Sequence, residues 1–386
     1  MAFGVVASAR FAGRYSLAGS RRYNAAQAVN LHLTRMRFAS KTKGFFAEQN
    51  EHSILLARTS GTTAPLVIEA LSECAVGDPV AVSEAIERIQ SKKAASGFLN
   101  ARCGVYPARR LVRRATLEVK RLREPGYFAE VLSNQFRAEL DKHAMHILNA
   151  PDGCDFDVTR SAQKEALFCG MLYQDVETLQ DGLLASGIYP EGLELGSVAT
   201  LGGAVDYLRF LKSSVPTLVL EIGAEITHSF IVSSAGVEAS RPIAQGYESM
   251  VPIVQAELGL KDAESARKLF LSNAFDFTGM GRSLVKKLLK ELQSSIGFYE
   301  VQTGQSVGQV LCTSIPPKLS WLSGSIASAL GVSTLSLDLQ PWLRSREVTI
   351  DERALTGELD ARWFGLLSLM ISHSHQNAVA AEKTNV

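Results

Sequence analysis

TLVLEIGAEITHSFIVSSAGVEASRPIA, residues 217–244, is the stretch whose reading decides the fold. Residues 217–222 form a β-branched and leucine-rich run with the pattern of a strand buried on both faces. Residues 229–233 read as a second strand, Ser234-Ala235-Gly236 as a tight turn and residues 237–244 as a third strand. Helices follow over 247–258 and 262–270. A long amphipathic helix then runs over 283–299, with Leu284, Leu288, Leu289, Leu292, Ile296 and Tyr299 on one side. A strand at 309–313, a helix at 318–330 and a strand at 333–337 complete this half.

The same order occurs upstream. Strands are expected at 53–58 and 65–71 around the turn Ser60-Gly61-Thr62-Thr63, then a helix at 81–90 after Asp78-Pro79. Short and longer strands follow at 101–105 and 109–119. Phe128, Val131, Leu132, Phe136, Leu140 and Ile147 recur at helical spacing and predict one amphipathic helix, ended by Asn149-Ala-Pro-Asp-Gly153. A strand at 166–173, a helix at 175–186 before Gly187, and a loop and helix over 193–209 return the chain to the second half. A strand-rich unit followed by helices, used twice, predicts a duplicated α/β architecture.

Composition narrows the function. Of 386 residues, 46% are hydrophobic and 20% charged, enough apolar material for full cores. That length suggests roughly two to three domains. A net charge of +1 argues against a dedicated nucleic-acid binder. The longest apolar run, residues 363–371, is broken by Gly365 and Ser368 and is far shorter than the ~20 residues of a spanning helix. The five cysteines, Cys74, Cys103, Cys154, Cys169 and Cys312, form no CxxC pair, so buried reduced thiols are expected. Residues 1–47 contain no acid and carry Arg10, Arg14, Arg21, Arg22, Arg35, Arg37, Lys41 and Lys43. A basic, disordered extension over 1–48 is the reading. A transit peptide or an arm for anionic lipid shares that composition, and Met36 is an alternative start.

The residues 218–227 resemble the second phosphate loop of actin-like ATPases, written Asp-Ile-Gly followed by small and hydroxyl residues. Ser240-Arg-Pro-Ile-Ala-Gln-Gly246 resembles the Arg-x-Ile-x-x-Gly-Gly stretch of the PilM family of type IV pilus assembly. Residues 260–268 are similar to its Ala-Glu-x-x-Lys helix, and Phe298-Tyr-Glu-Val-Gln302 to the Tyr-Glu-x-Gln end of its long helix. The likeness spans about residues 50–345, through the order and spacing of weak motifs. It implies an α/β fold of two RNase H-like domains (actin/Hsp70/sugar-kinase type) with a small inserted α+β subdomain. The first domain would comprise 49–106 and 168–215, the insertion 107–167 and the second domain 216–345. A closing helix and polar tail would follow over 346–386, the helix packing back on the first domain.

The resemblance also implies a cytoplasmic scaffold at the inner face of the inner membrane. Its partner would be the N-terminal cytoplasmic peptide of a bitopic inner-membrane pilus or secretion protein, held in a groove between the first domain and the insertion. Self-association is a further expectation. The alternatives are an active ATPase or small-molecule kinase and a membrane-associated, division-type actin homologue. The phosphate loops depart from the pattern. Against the first loop the comparison sets residues 56–63, where Ala57 or Arg58 stands in place of Asp and Pro65 in place of Lys. In the second, Glu221 replaces Asp, Glu225 adds a charge, and Gly223 and Thr227 complete a vestigial loop. The adenosine-side turn, residues 312–317, has no glycine. ATP with magnesium is therefore a doubtful cofactor, and no catalytic residue is assigned.

Other constellations read more plainly. Glu139, His143 and His146 share a face of the expected helix, a solvated face rather than a metal site. His373 and His375 fall in a polar tail, expected to be exposed. Gly279-Met280-Gly281 is a loop before a helix. Arg109, Arg110, Arg113 and Arg114 form a basic cluster on the insertion, where they are candidate partner-binding residues.

Overall fold

A computed structural model describes residues 43–90, 97–160, 163–355 and 357–384. Most of the basic arm, residues 1–42, lies outside them. Its end does not: the first strand starts at Gly44, so the fold begins inside the stretch read as an extension.

The chain opens with β1 (Gly44–Gln49), β2 (Ser53–Thr59) and β3 (Leu66–Ala75), then α1 (Pro79–Ile89) and β4 (Leu99–Val105). Asp78 caps α1 by accepting from the Val80 and Ala81 amides, with Pro79 in the first turn. The insertion holds β5 (Leu111–Thr116), α2 (Tyr127–Val131), β6 (His143–Asn149) and β7 (Glu165–Leu172). The chain returns through α3 (Tyr173–Ala185), β8 (Ile188–Leu195) and α4 (Gly196–Phe210).

The second domain is β9 (Thr217–Ile222), β10 (Thr227–Ser233), β11 (Gly236–Ile243), α5 (Val251–Glu257), α6 (Ala263–Ser272), α7 (Gly281–Thr303), β12 (Gln309–Thr313), α8 (Leu322–Leu330) and β13 (Ser333–Thr334). Then come α9 (Leu339–Ser345), β14 (Val348–Ile350) and α10 (Phe364–Thr384).

The sheets run β14-β3-β2-β1-β4-β8, β11-β10-β9-β12-β13 and β5-β7-β6. In each large sheet three antiparallel strands are followed by two parallel ones, in the same relative order. That is the duplicated RNase H-like topology, with β14 added in parallel beyond β3. β9 is buried along its whole length. Leu218, Leu220 and Ile222 enter the second domain's core, while Val219 joins a core continuous with the first domain. Between the lobes lies α4, which has buried residues on every side and packs against α10. Gly203 permits that approach, because a Cβ there would collide with Ser368.

The single helix expected over 128–147 does not form. After α2 the chain makes a π turn over Leu132–Phe136, and Arg137 adopts φ 54° and ends it. The segment His143–Asn149 is a strand, with Met145 and Ile147 packed under the insertion's small core at a spacing of two. α10 packs on α4 and β1, and His373 is buried against Phe46 rather than exposed.

Candidate functional site

The cleft forms where two hairpins meet. β1 and β2 form one and β9 and β10 the other, and the fifth residue of each first strand is a glutamate, Glu48 and Glu221. Glu48 therefore holds the position in the first domain that Glu221 holds in the second. The hairpin equivalent to β9–β10 is β1–β2, so the expected comparison with a first phosphate loop belongs there and not at Ala57 and Arg58, which lie within β2.

Both acids are buried, and neither is free. Glu48 is 5% exposed, and burial, reinforced by the charge on Glu221, raises its carboxyl to about 8 despite the Tyr106 hydroxyl beside it. Gly365 at the start of α10 comes so close that a Cβ there would meet Glu48 Oε2. Glu221 is fully buried. Its Oε2 accepts from Arg110 Nη2 at 2.6 Å and from Ser197 Oγ at 2.6 Å, and Ser197 Oγ in turn accepts from Arg110 Nε at 2.6 Å. Arg110 thus leaves the basic cluster and turns inward, as the counter-ion of the cleft. Beside it, burial and the Arg110 charge push His228 down to about 3.

The turns are satisfied internally. In the first, Asn50 Oδ1 accepts from the His52 amide at 2.8 Å and the Ser53 amide at 2.9 Å. In the second, Gly223 N donates to Ile226 O, and the Gly223 and Ala224 carbonyls accept from the Tyr247 and Glu248 amides. The Ala224 amide donates across the cleft to Glu51 at 2.7 Å. Thr227 is buried and its hydroxyl donates to the Gln245 carbonyl at 2.6 Å. Of the expected vestigial loop, Gly223 lies beside the Glu51 carboxylate, whereas Glu221 and Thr227 are buried. Beside the strand end at Thr313, a cavity of about 490 Å³ is lined by Glu48, Tyr106, Thr200, Thr313, Ser314 and Ser323. Ser314 holds φ 58° where a glycine was expected.

The other arginines separate. Arg109 is exposed, whereas Arg113 and Arg114 on β5 edge a groove of about 1020 Å³ against β11 and α7. That groove lies between the insertion and the second domain, not against the first. Arg113 stacks over Phe136 at 5.1 Å, and its Nε has no hydrogen-bond partner among the described residues. Arg114 pairs with Glu165 at 2.6 Å, and its amide donates to Ser240 Oγ at 2.6 Å. Glu139, His143 and His146 share no helix: His146 Nε2 lies 2.7 Å from Asp155, and no metal-ligand group occurs among the described residues. No helix of the described residues is long and apolar enough to cross a membrane.

Sequence reasoning missed Glu48, Asn50 and Glu51. The only available signal was the Glu-x-x-Glu spacing just before the run at Ser53.

No protein-family model and no curated protein matches the chain. Solved structures do. The PilM-PilN type IV pilus biogenesis complex matches with a TM-score of 0.62 at 17% identity, over 86% of this chain and 99% of that one. The ethanolamine utilization protein EutJ from Carboxydothermus hydrogenoformans matches at 0.41 and 12%, over 85% and 89% of the two chains. The cytoplasmic domain of EpsL, an inner-membrane component of the type II secretion system of Vibrio cholerae, matches at 0.35 and 8%, over 88% and 95%. The last two scores are too low to support an argument, and at 17% identity the first is a likeness of fold. The chain thus has the α/β fold of the matched chain in the PilM-PilN complex, two RNase H-like domains of the actin-like type with a small inserted subdomain.

Proposed function

We propose that this chain is a PilM-like scaffold of a type IV pilus or related secretion assembly. It works at the cytoplasmic face of the inner membrane, binds the cytoplasmic peptide of a bitopic partner and does not turn over ATP. The observation that carries the reading is the state of the cleft. Glu221 is bound to Arg110 and Ser197, and turn amides that would receive phosphate donate to Asn50 and Glu51. A metal needs free carboxylates and a phosphate needs free N–H donors. A lobed fold kept intact around such a cleft favours a structural role.

The groove beside β5 supports the second half of the reading. Its walls come from β5 and β11, each at a sheet edge, and edge strands accept extended segments. Of the groove's arginines, Arg114 pairs with Glu165 and Arg241 with Glu291, which leaves Arg113 as the cation that favours a peptide with an acidic flank. Against the division-type alternative, α10 is buried over Phe364–Ser374 and is not free to lie on a bilayer.

The test is a titration of the partner's cytoplasmic peptide into the full chain and into Arg113→Glu/Arg114→Glu. Exposed pairs contribute only about 0.2–1 kcal/mol each, so the double reversal should weaken binding severalfold. Unchanged affinity in a variant that still folds would remove this groove from the partner site. Steady phosphate release from ATP, lost in Glu48→Gln, would restore the enzyme reading.

A further inference from the structure

Helix α7 carries two different faces along its 23 residues. One is apolar and buried, with Leu284, Val285, Leu288, Leu289, Leu292 and Tyr299 in the second domain's core. The other meets solvent, and its charge is all of one sign. Its first half carries Arg282, Lys286, Lys287 and Lys290, all exposed. None of the four forms an ion pair among the described residues. Its second half carries Phe298 and Val301, 66% and 88% exposed.

At about 100° per residue, all six side chains fall within an arc of roughly 160°. The helix has two acids, Glu291 and Glu300, and both stand at the borders of that arc, already engaged. Glu291 pairs with Arg241 at 2.7 Å, and Glu300 Oε1 accepts the Val307 amide at 3.2 Å. The face between them is positive at one end and apolar at the other. Gly297 lies among the apolar residues, and a Cβ there would meet nothing within 4 Å, so this end is open. Four unpaired cations favour an anionic partner, and the apolar end narrows its kind. A nucleic acid could stack a base on Phe298, but Val301, the more exposed of the two, has no ring to offer. The boundary between lipid headgroups and acyl chains accepts both side chains, and anionic headgroups attract the cations beside them.

We propose that the exposed face of α7 is a docking surface for an anionic bilayer, with its cations on headgroup phosphates and Phe298 and Val301 at the headgroup–acyl boundary. The inference goes beyond the scaffold reading and takes from it only the location at a membrane. It adds an orientation. Ser294, Ser295, Phe298 and Tyr299 of the same helix line the groove between the insertion and the second domain. A chain lying on α7 opens that groove beside the membrane, where the cytoplasmic peptide of a bitopic partner emerges. The attraction decays over about 10 Å at 0.1 M salt, so the contact is close and salt-sensitive.

The experiment uses the full chain with Val301→Trp as a local reporter, and vesicles of phosphatidylglycerol or of phosphatidylcholine. The reporter has to be local because the basic residues from Arg10 to Lys43 can hold the chain on anionic lipid by themselves. The parent's spectrum, from Trp321, Trp342 and Trp363, is subtracted. With phosphatidylglycerol the emission from position 301 should shift to the blue and be quenched by brominated acyl chains, and phosphatidylcholine should leave it unchanged. Adding Lys286→Glu/Lys287→Glu/Lys290→Glu should lower the partitioning read at this site at least about tenfold, and Phe298→Ser severalfold. All these positions are exposed, so the variants should fold, which circular dichroism checks. The proposal is overturned if the reporter does not respond to phosphatidylglycerol, if the charge-reversed chain responds like its parent, or if phosphatidylcholine acts equally. A stronger response to single-stranded RNA than to the vesicles would mark a nucleic-acid face and overturn it too. Titrating the partner peptide into the charge-reversed chain keeps the readings apart, because the scaffold reading expects unchanged peptide affinity there whether or not the bilayer binds.

Discussion

Replacing Arg110 by Met should be among the most damaging single changes in the molecule. The guanidinium is 6% exposed and the Glu221 side chain not at all. Arg110 donates to Glu221 at 2.6 Å, to Ser197 at 2.6 Å and to the Pro107 carbonyl at 3.1 Å, with the Tyr106 ring 5.4 Å away. In the variant Glu221 keeps only the Ser197 hydroxyl, and its Oε1 already lacks a partner among the described residues. A buried carboxylate without its counter-ion is costly, and breaking such a pair by removing one side typically costs about 3–5 kcal/mol. The double variant Arg110→Met/Glu221→Met removes both charges and should recover most of the loss, giving a coupling of roughly 3 kcal/mol. Urea denaturation followed by circular dichroism measures Arg110→Met, Glu221→Met and the double variant. A single variant within about 1 kcal/mol of the parent, or a double variant no better than the sum of the singles, would refute the claim that this pair neutralises the cleft.

Stability should also carry two opposed pH limbs. Glu48, near 8 in the fold against 4.5 free, keeps a proton that the unfolded chain loses, so stability falls as pH rises from 4.5 to 8. His228, near 3 against 6.5, refuses a proton that the unfolded chain accepts, so stability falls as pH drops from 6.5 to 3. Each slope is about 1.4 kcal/mol per pH unit, so the two cancel between 4.5 and 6.5. Melting curves of Glu48→Gln should lose the alkaline limb and those of His228→Gln the acid one; parallel profiles in parent and variants would contradict both assignments. Gly246→Ala drives a methyl into the Gly223 and Ala224 carbonyls and should cost about 1–3 kcal/mol, read by thermal melting, with no loss expected if that turn is soft. Phosphate release from ATP should stay at the level of a protein-free control.

The second domain was the more legible half. Strands β9 and β12 have the bounds expected, because an apolar run between turn residues has few other ways to be buried. The first domain was harder because its opening strand, GFFAEQ, sits at the end of an acid-free arm and leads into the polar turn Asn50-Glu51-His52. That turn has no glycine, so the sequence pattern points to the next hairpin, with Gly61, as the phosphate loop. The misread helix at 128–147 has a similar cause: a seven-residue step fits a helix face, and the left-handed Arg137 leaves no mark in composition. Arg110 was indistinguishable from Arg109, Arg113 and Arg114. Its inward turn depends on Glu221, distant in sequence, and no local pattern reports that.

Because β14 and α10 return to the first domain after the second has been passed, the two lobes differ in when they can be finished on the ribosome. The second domain's strands lie in one continuous span, Thr217 to Thr334, and can assemble as soon as that span emerges. The first domain has β1 at the centre of its sheet but lacks its outer strand and the helix over β1 until the chain's last segments appear. During synthesis the hydrophobic face later covered by α10, with Phe46 and Gly203 within it, stays open until that helix arrives. That interval is where a nascent chain of this topology is most exposed to aggregation, and most in need of a chaperone.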